Sequence, residues 1–251
     1  MSDLLDVSGK KAIVTGGAAG LGLAMTEVLL EHGAEVAIIG RSERVEAAAH
    51  DLGKLGQVYP VRGDLGDRLE RRRVFEAALK ALGTVDILVN NAGIQIRHRC
   101  EEFPLEDWDR VLETDLTAVF ELCQMAGRIM LATGRGKIIN IASLISFSGG
   151  LNIPAYAAAK GGVAQITKAF ANEWAGRGVN VNAIAPGYMD TEMNTALKNN
   201  PTRFDSIMER IPAGRWGTPA DLKGITLLLA SAASDYIHGV VIPVDGGFMS
   251  R

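Results

Sequence analysis

The amino-acid sequence predicts a doubly wound α/β fold, with a parallel sheet of about seven strands in a single domain. Two observations lead to this prediction. Short runs rich in β-branched residues alternate with longer amphipathic stretches along all 251 residues. The short runs are almost continuously apolar, as expected of strands that helices cover on both faces. No linker or change of composition divides residues 1–251, so we expect one domain.

The strands are predicted at residues 11–15, 36–39, 58–62, 86–90, 137–142, 179–185 and 240–244. The amphipathic helices are predicted at residues 21–32, 68–82, 105–133, 155–177 and 220–232. One segment, residues 189–215, departs from this alternation after the sixth strand, beside the sheet edge where ligands bind. We expect it to form a substrate lid, and an ordinary surface excursion is the alternative.

The bulk composition argues against nucleic acid and membranes as partners. A formal net charge of -3 provides no basic surface for either, and the basic run at 71–73 is predicted to form a solvated helix face. No apolar run is long enough to cross a bilayer, and the N-terminus lacks the apolar core of a signal peptide, so we predict a cytoplasmic protein. The 4 histidines and 2 cysteines show no metal-ligand spacing, and no metal is expected.

A glycine-rich turn follows the first predicted strand and reads Thr15-Gly-Gly-Ala-Ala-Gly-Leu-Gly22. Glycines let a backbone turn sharply and approach a pyrophosphate, whose charge the next helix N-terminus stabilises. Glycine spacing alone is a weak signal, but a strand before it and a helix after it are the context that dinucleotide-binding turns require. We therefore predict cofactor contacts from Gly16, Ala19, Gly20, Leu21 and Gly22, with a purely structural turn as the alternative.

Three later strand ends complete the predicted cofactor site. The second strand ends Gly40-Arg41-Ser42, without the acidic residue that would bind the ribose hydroxyls of NAD, so Arg41 is available for a 2′-phosphate. We therefore favour NADP(H) over NAD(H), and a solvent-facing arginine is the alternative. At the next two strand ends, Asp64 and Leu65 are predicted at the adenine, and Asn91, Ala92 and Gly93 at a ribose.

The pair Tyr156 and Lys160 has the spacing that places two side chains on one helix face. A free tyrosine titrates near about pH 10, and a neighbouring cation favours the phenolate. The pair therefore predicts an acid/base site. Ser143 ends the preceding strand, where its hydroxyl can hydrogen-bond the reacting oxygen.

Taken in order, these residues resemble the short-chain dehydrogenase/reductase family along nearly the whole chain, and Pro186-Gly187 extends the match. The resemblance implies a Rossmann-type, NAD(P)-dependent enzyme that interconverts a secondary alcohol and a ketone. It implies that Tyr156 exchanges the substrate proton, Ser143 positions the reacting oxygen and Lys160 holds the nicotinamide ribose. It also implies nicotinamide contacts from Gly187, Met189 and Thr191.

One residue departs from the family pattern. The helix that begins Trp108-Asp109 usually carries an asparagine where this sequence has Asp115, and that asparagine supports a water-mediated proton relay. A carboxylate can accept the same hydrogen bonds, but it donates none unless protonated and adds charge near Lys160. We count Asp115 among the catalytic residues and predict weakened or pH-shifted activity relative to asparagine.

The second half of the chain is similar to the sugar-acid branch of the family, which includes 2-dehydro-3-deoxygluconate and gluconate 5-dehydrogenases. Segments such as Ile211-Pro-Ala-Gly-Arg-Trp-Gly217 carry this likeness, which implies a keto or hydroxy hexonate as substrate. Arg97 is the candidate for its carboxylate, with an exposed surface cation as the alternative, and Arg215 is a second candidate or a structural anchor. The predicted substrate site comprises Ser143, Tyr156, Gln95, Arg97, Phe147 and Met193.

Two other functions remain open at this stage. Within the same fold, the chain could reduce a 3-ketoacyl thioester, for which Arg97, Arg99 and Arg128 would form a docking patch. Alternatively, a cofactor-binding regulator without catalysis is favoured only by Asp115, because fold alone does not certify function. The resemblance also implies a homotetramer, with helices around 105–133 and 155–177 at one interface.

Overall fold

The computed structural model describes residues 4–250, apart from the side chain of Ala196. The described residues contain seven strands, all paired in parallel in one sheet. The strands are β1 (Lys11–Thr15), β2 (Glu35–Gly40), β3 (Val58–Arg62), β4 (Ile87–Asn90), β5 (Gly136–Ile141), β6 (Val179–Pro186) and β7 (Val241–Val244). Their order is β3-β2-β1-β4-β5-β6-β7. The chain adds β2 and β3 on one side of β1 and then returns to add β4 to β7 on its other side, so the strand order reverses between β1 and β4. The predicted fold class is confirmed, and a crevice is expected where β1 and β4 meet.

Helices cover both faces of this sheet. They are α1 (Gly20–Glu31), α2 (Arg44–Leu52), α3 (Arg68–Leu82), α4 (Leu105–Leu112), α5 (Ala118–Thr133), α6 (Pro154–Trp174), α7 (Thr195–Lys198), α8 (Pro201–Met208) and α9 (Lys223–Ala230). The helix predicted at 105–133 is divided into α4 and α5 by a π-helical stretch, Glu113–Thr117. Helix α2 was missing from the sequence prediction.

The strand pleat divides the core into two layers. In β1, Ile13 faces the layer under α3, α5 and α6, while Ala12 and Val14 face the layer under α1, α2 and α9. In β2, Ala37 and Ile39 belong to the first layer, and Val36 and Ile38 belong to the second. The five inner strands, β1, β2, β4, β5 and β6, are therefore buried on both faces, which explains their continuous apolar sequence, whereas the edge strands β3 and β7 are only partly buried.

The basic run at 71–73 is only partly the solvated face that its composition predicted, because Arg72 and Arg73 are exposed but Arg71 is not. Arg71 is fully buried, and its guanidinium bonds Glu113, Glu121 (2.9 Å) and the backbone oxygen of Leu65 (2.8 Å). A buried guanidinium needs acceptors of this kind because desolvation is costly. The contact to Glu113 joins α3 to the first residue of the π-helical stretch.

The segment 189–215 leaves and rejoins the fold at one place. Its start and end are joined by a parallel bridge between Met189 and Gly217, with hydrogen bonds from Asp190 N to Gly217 O (2.7 Å) and from Gly217 N to Tyr188 O (3.0 Å). Between these points lie α7 and α8. Helix α8 packs through Ile207 onto an apolar cluster that also contains Trp216.

Candidate active site

A cavity of about 800 Å³ lies at the carboxyl ends of the strands around the β1–β4 crevice. It runs from the glycine-rich turn to the segment 189–215. Most of the residues predicted for the site line it: Gly16, Ala19, Gly20, Leu21, Arg41, Asn91, Ala92, Gly93, Gln95, Arg97, Asp115, Ser143, Tyr156, Lys160, Gly187, Met189, Thr191 and Met193. Five predicted residues lie outside its lining: Gly22, Ser42, Asp64, Leu65 and Phe147.

The glycine-rich turn has the shape that a pyrophosphate requires. Gly16 and Gly20 adopt φ of 65° and 53°, in the left-handed region that favours glycine. A Cβ on Gly22 would lie 2.1 Å from the backbone oxygen of Gly16, so Gly22 supports the turn from beneath rather than lining the cavity. Helix α1 begins after Ala19, which offers no side-chain cap, and its first turn holds no acidic residue. Its first N–H groups therefore remain available to an anion.

The end of β4 is tied to the glycine-rich turn by Thr15. Its Oγ1 accepts hydrogen bonds from the backbone N–H groups of Asn91 (2.9 Å) and Ala92 (3.0 Å). The Asn91 amide in turn donates to the backbone oxygen of Thr15 at 3.0 Å. These bonds hold the backbone of residues 91–93 against the cavity.

Arg41 is exposed at the other end of the cofactor cleft, with one guanidinium nitrogen 3.9 Å from a carboxylate oxygen of Asp64. A Cβ on Gly40 would lie 2.7 Å from Cγ2 of Val45, so the place of the usual acidic residue is sterically filled. Ser42 is exposed, whereas Leu65 is buried in the core. The adenine contacts assigned to Asp64 and Leu65 stay predictions.

Helix α6 carries Tyr156 and Lys160 on consecutive turns, and both line the cavity. Lys160 is buried, and its Nζ donates to the backbone oxygen of Ile141 at 2.9 Å. The same Nζ lies 5.6 Å from the ring centroid of Tyr156. A Cβ on Gly162 would lie 2.8 Å from Leu116, so this glycine permits α6 to pack tightly against the π-helical stretch.

Asp115 lies in the π-helical stretch, fully buried and facing Lys160. One carboxylate oxygen accepts from the backbone N–H of Ile94 at 2.7 Å, and the other has no hydrogen-bond partner and lies 3.7 Å from Lys160 Nζ. Burial raises the pKa of Asp115 above its ordinary value, while Lys160 and the Ile94 amide oppose that rise. Gly93 permits the close approach, since a Cβ there would lie 2.9 Å from the carboxylate.

Ser143 follows β5 and is fixed in position by its own loop. Its Oγ accepts from the N–H of Ile145 and its N–H donates to Oγ of Ser146, both at 3.2 Å. The hydroxyl of Ser146 donates to the backbone oxygen of Lys160 at 2.7 Å. One short chain of hydrogen bonds therefore connects the Ser143 loop to α6.

The end of the cavity beside the segment 189–215 contains residues that were not predicted from the sequence. Among the residues that were predicted, Arg97 donates to the side-chain oxygen of Gln95 at 2.5 Å. Met193 lines the cavity and is half-exposed. Phe147 is 48% exposed and lies outside the cavity lining. The additional lining residues from this region include Tyr188, Arg203, Ser206, Ile207 and Arg210. The last four recur at helical spacing, a signal present in the sequence.

A family model described as enoyl-(acyl carrier protein) reductase matches residues 16–249. The chain belongs to the short-chain dehydrogenase/reductase family. Its sheet order, its glycine-rich turn and the cluster of Ser143, Tyr156 and Lys160 agree with that membership.

Two curated members of the short-chain dehydrogenase/reductase family match over nearly their whole length. The 2-dehydro-3-deoxy-D-gluconate 5-dehydrogenase of Bacillus subtilis (strain 168) is 43% identical over 100% of this chain and 99% of its own. The gluconate 5-dehydrogenase of Gluconobacter oxydans (strain 621H) is 39% identical over 98% of this chain and 96% of its own. A gluconate 5-dehydrogenase from Burkholderia cenocepacia J2315, solved in complex with NADP and tartrate, has a TM-score of 0.95 and 37% identity, covering 99% of this chain and 98% of its own.

These relatives show that this family member is an NAD(P)-dependent oxidoreductase acting on CH–OH groups, as the sequence predicted. The regulator hypothesis therefore loses its support. Within residues 4–250, no group of three or more potential ligands from His, Cys, Asp and Glu is placed to hold a metal. Among the described helices, none is long and apolar enough to span a membrane.

Proposed function

We propose that the chain interconverts a ketone and a secondary alcohol on a keto or hydroxy hexonate, as a 2-dehydro-3-deoxygluconate 5-dehydrogenase or a related keto-uronate reductase. The observation that carries this proposal is one cavity lined by Ser143, Tyr156 and Lys160 and also by Arg97. A guanidinium binds a carboxylate well, and Gln95 beside it suits a substrate hydroxyl. The names of the curated relatives, and the tartrate bound by the Burkholderia enzyme, favour the same class of ligand.

The residues of the cavity divide the chemistry among them. A nicotinamide cofactor, when bound, supplies the hydride for reduction of the carbonyl carbon or accepts it in the reverse direction. During reduction, the Tyr156 hydroxyl gives its proton to the carbonyl oxygen, and Ser143 Oγ donates a hydrogen bond to the same oxygen. Lys160 stabilises the negative charge that develops on Tyr156, and water at the open cavity restores the proton.

The same proposal includes NADP(H) as the preferred cofactor. The cradle of Gly16, Gly20 and the uncapped start of α1 suits the pyrophosphate of either nicotinamide cofactor. Arg41 distinguishes them, since a 2′-phosphate beside it would replace the long contact to Asp64 with a shorter, doubly charged partner. Val45 fills the space in which an acidic side chain would select NAD.

The test is consumption of reduced cofactor by the purified protein, followed by absorbance, on a panel of keto-hexonates and an acetoacetyl thioester. We expect turnover of a keto-hexonate that Tyr156→Phe abolishes while cofactor binding persists. Turnover of the thioester with none of the keto-hexonates would instead establish the 3-ketoacyl reductase alternative.

We also propose that 189–215 acts as the substrate lid and that the chain forms a homotetramer through α5 and α6. Phe120 supports the second point, because it is 41% exposed on α5 and stacks on Phe170 of α6 at 5.6 Å. Light scattering coupled to size-exclusion chromatography measures the mass directly, and a monomer at all concentrations would contradict this interface.

A further inference from the structure

The substrate end of the cavity carries positive charge that no carboxylate among the described residues neutralises. Arg97, Arg203 and Arg210 line the cavity, and within residues 4–250 none of them forms an ion pair with a carboxylate. The carboxylates that line the same cavity are already engaged: Asp115 faces Lys160, and Glu192 binds Arg44 at 2.9 Å.

Arg215 shows how a structural arginine differs from these three. Its two terminal nitrogens bind the two carboxylate oxygens of Asp221 at 2.7 and 2.8 Å. That pairing satisfies the guanidinium fork and lowers the pKa of Asp221. Of the two roles that the sequence left open for Arg215, the structural anchor fits this pairing. Its positive charge is already neutralised by Asp221 and is not available to a ligand.

Two of the three unpaired arginines act on each other. The pKa of Arg97 is lowered, first by partial burial of its guanidinium and then by the like charge of Arg203. Tyr156 and Tyr188 are also close enough to influence it, which places Arg97 near the reacting group. Arg210 is not among these influences, and its guanidinium instead stacks on the ring of Phe248 at 4.1 Å. Two like charges held beside one cavity are unfavourable until an anion lies between them.

Arg203 reaches the cavity from α8, in the segment 189–215. The helix begins at Pro201, and the Asn200 side chain caps it by accepting from the N–H of Arg203 at 3.1 Å. One turn later Ile207 is buried against the apolar cluster of Trp216. The capped start and the buried turn fix the rotation of α8, so that Arg203 faces the cavity as a built feature of the segment.

We propose that Arg203 and Arg97 together bind the substrate carboxylate, so that the segment 189–215 selects an acid over a neutral hydroxyketone. This inference rests on the proposed function for the identity of the reacting carbonyl. Arg97 is supplied by the loop after β4 and held by Gln95, whereas Arg203 is supplied by α8. A carboxylate between them joins the two parts of the cavity, and a substrate without it leaves both guanidinium groups unpaired.

The test compares a keto-hexonate with a neutral ketose of the same carbon skeleton for the wild type, Arg203→Met, Arg97→Met and the double variant. We expect Arg203→Met to lower kcat/KM for the acid about 10- to 100-fold, chiefly by raising KM. The loss of a hydrogen bond to a charged group typically weakens binding by about this factor. For the neutral ketose we expect little change. Arg203→Lys should recover part of the loss, and Arg177→Met, at an exposed arginine outside the cavity, serves as the matched control.

The outcomes separate this inference from the proposed function. If the wild type reduces a keto-hexonate and Arg203→Met lowers kcat/KM equally for the acid and the neutral ketose, the carboxylate site is refuted while the proposed function stands. If the wild type reduces no keto-hexonate, binding of gluconate to the enzyme–NADPH complex is measured by calorimetry. Binding that Arg203→Met weakens and Arg177→Met leaves intact supports the site, and equal binding by all three proteins refutes it. Unchanged thermal melting of each variant confirms that the fold is retained.

Discussion

Replacing Asp115 by asparagine should move the pH dependence of alcohol oxidation to lower pH. Asp115 lies 3.7 Å from Lys160 Nζ, and the Tyr156 ring lies 5.6 Å from the same Nζ. A charge on Asp115 repels a phenolate at Tyr156 across roughly the sum of these two distances, which is worth about 2 kcal/mol at an effective dielectric constant of about 20. That energy corresponds to about one pH unit, because one unit equals about 1.4 kcal/mol.

The sign follows from what each charge does to a developing phenolate. An ionised Asp115 offsets the positive charge of Lys160 and opposes ionisation of Tyr156, and asparagine removes that opposition. The assay is kcat/KM for a hydroxy-hexonate against pH, in which the acid limb of the variant should lie about one unit lower. At the acidic end, where the raised pKa leaves Asp115 protonated, the two profiles should converge. Superimposable profiles across the whole range would refute the reasoning.

Three further predictions concern stability and the cofactor. Because burial raises the pKa of Asp115, the wild type loses stability as pH rises from the ordinary aspartate value of about 4 through the raised one. The free energy of unfolding of Asp115→Asn, measured by denaturant titration at several pH values, should therefore increase relative to that of the wild type as pH rises, and a constant difference would contradict this. Gly22→Ala should lower the free energy of unfolding by about 1–3 kcal/mol, because the added Cβ would clash with the backbone oxygen of Gly16. Gly161→Ala is the control, since a Cβ there meets open space and should not destabilise the protein. Equal thermal melting of the two variants would contradict the steric argument. Arg41→Ser should raise KM for NADPH about 10-fold or more and leave KM for NADH unchanged, and parallel changes in steady-state KM would remove Arg41 from 2′-phosphate recognition.

Much of the fold was predictable because its signals are local. Helix α3 has the predicted bounds, since Asp67 caps its start through the N–H groups of Leu69 and Glu70, and Gly83 ends it. Helix α2 escaped prediction because it is short and only Val45, Ala49 and Leu52 are buried along it. Nothing local marks Arg71 as buried, because its carboxylate partners lie 42 and 50 residues further along the chain.

The site divides in the same way. Tyr156, Lys160 and the glycine-rich turn have fixed spacings whose geometry follows from one helix or one turn. The π-helical stretch at Asp115 depends instead on contacts with Gly93 and Lys160, which other elements supply. Arg203 was missed because a binding arginine is distinguished from a structural one by the acidic partner it lacks, and partners are known only once the chain is folded.

The bridge between Met189 and Gly217 has a consequence for how such enzymes diversify. A segment whose two ends emerge side by side can be lengthened, shortened or replaced with little effect on the sheet that carries it. The hydrogen-bonded unit that joins Ser143 to Lys160 lies outside this segment. The proposed carboxylate contact from Arg203 is therefore encoded apart from Ser143 and Lys160, whereas Arg97 comes from the loop after β4. A change confined to the segment 189–215 can thus alter the proposed recognition of the acid while the catalytic residues are inherited unchanged.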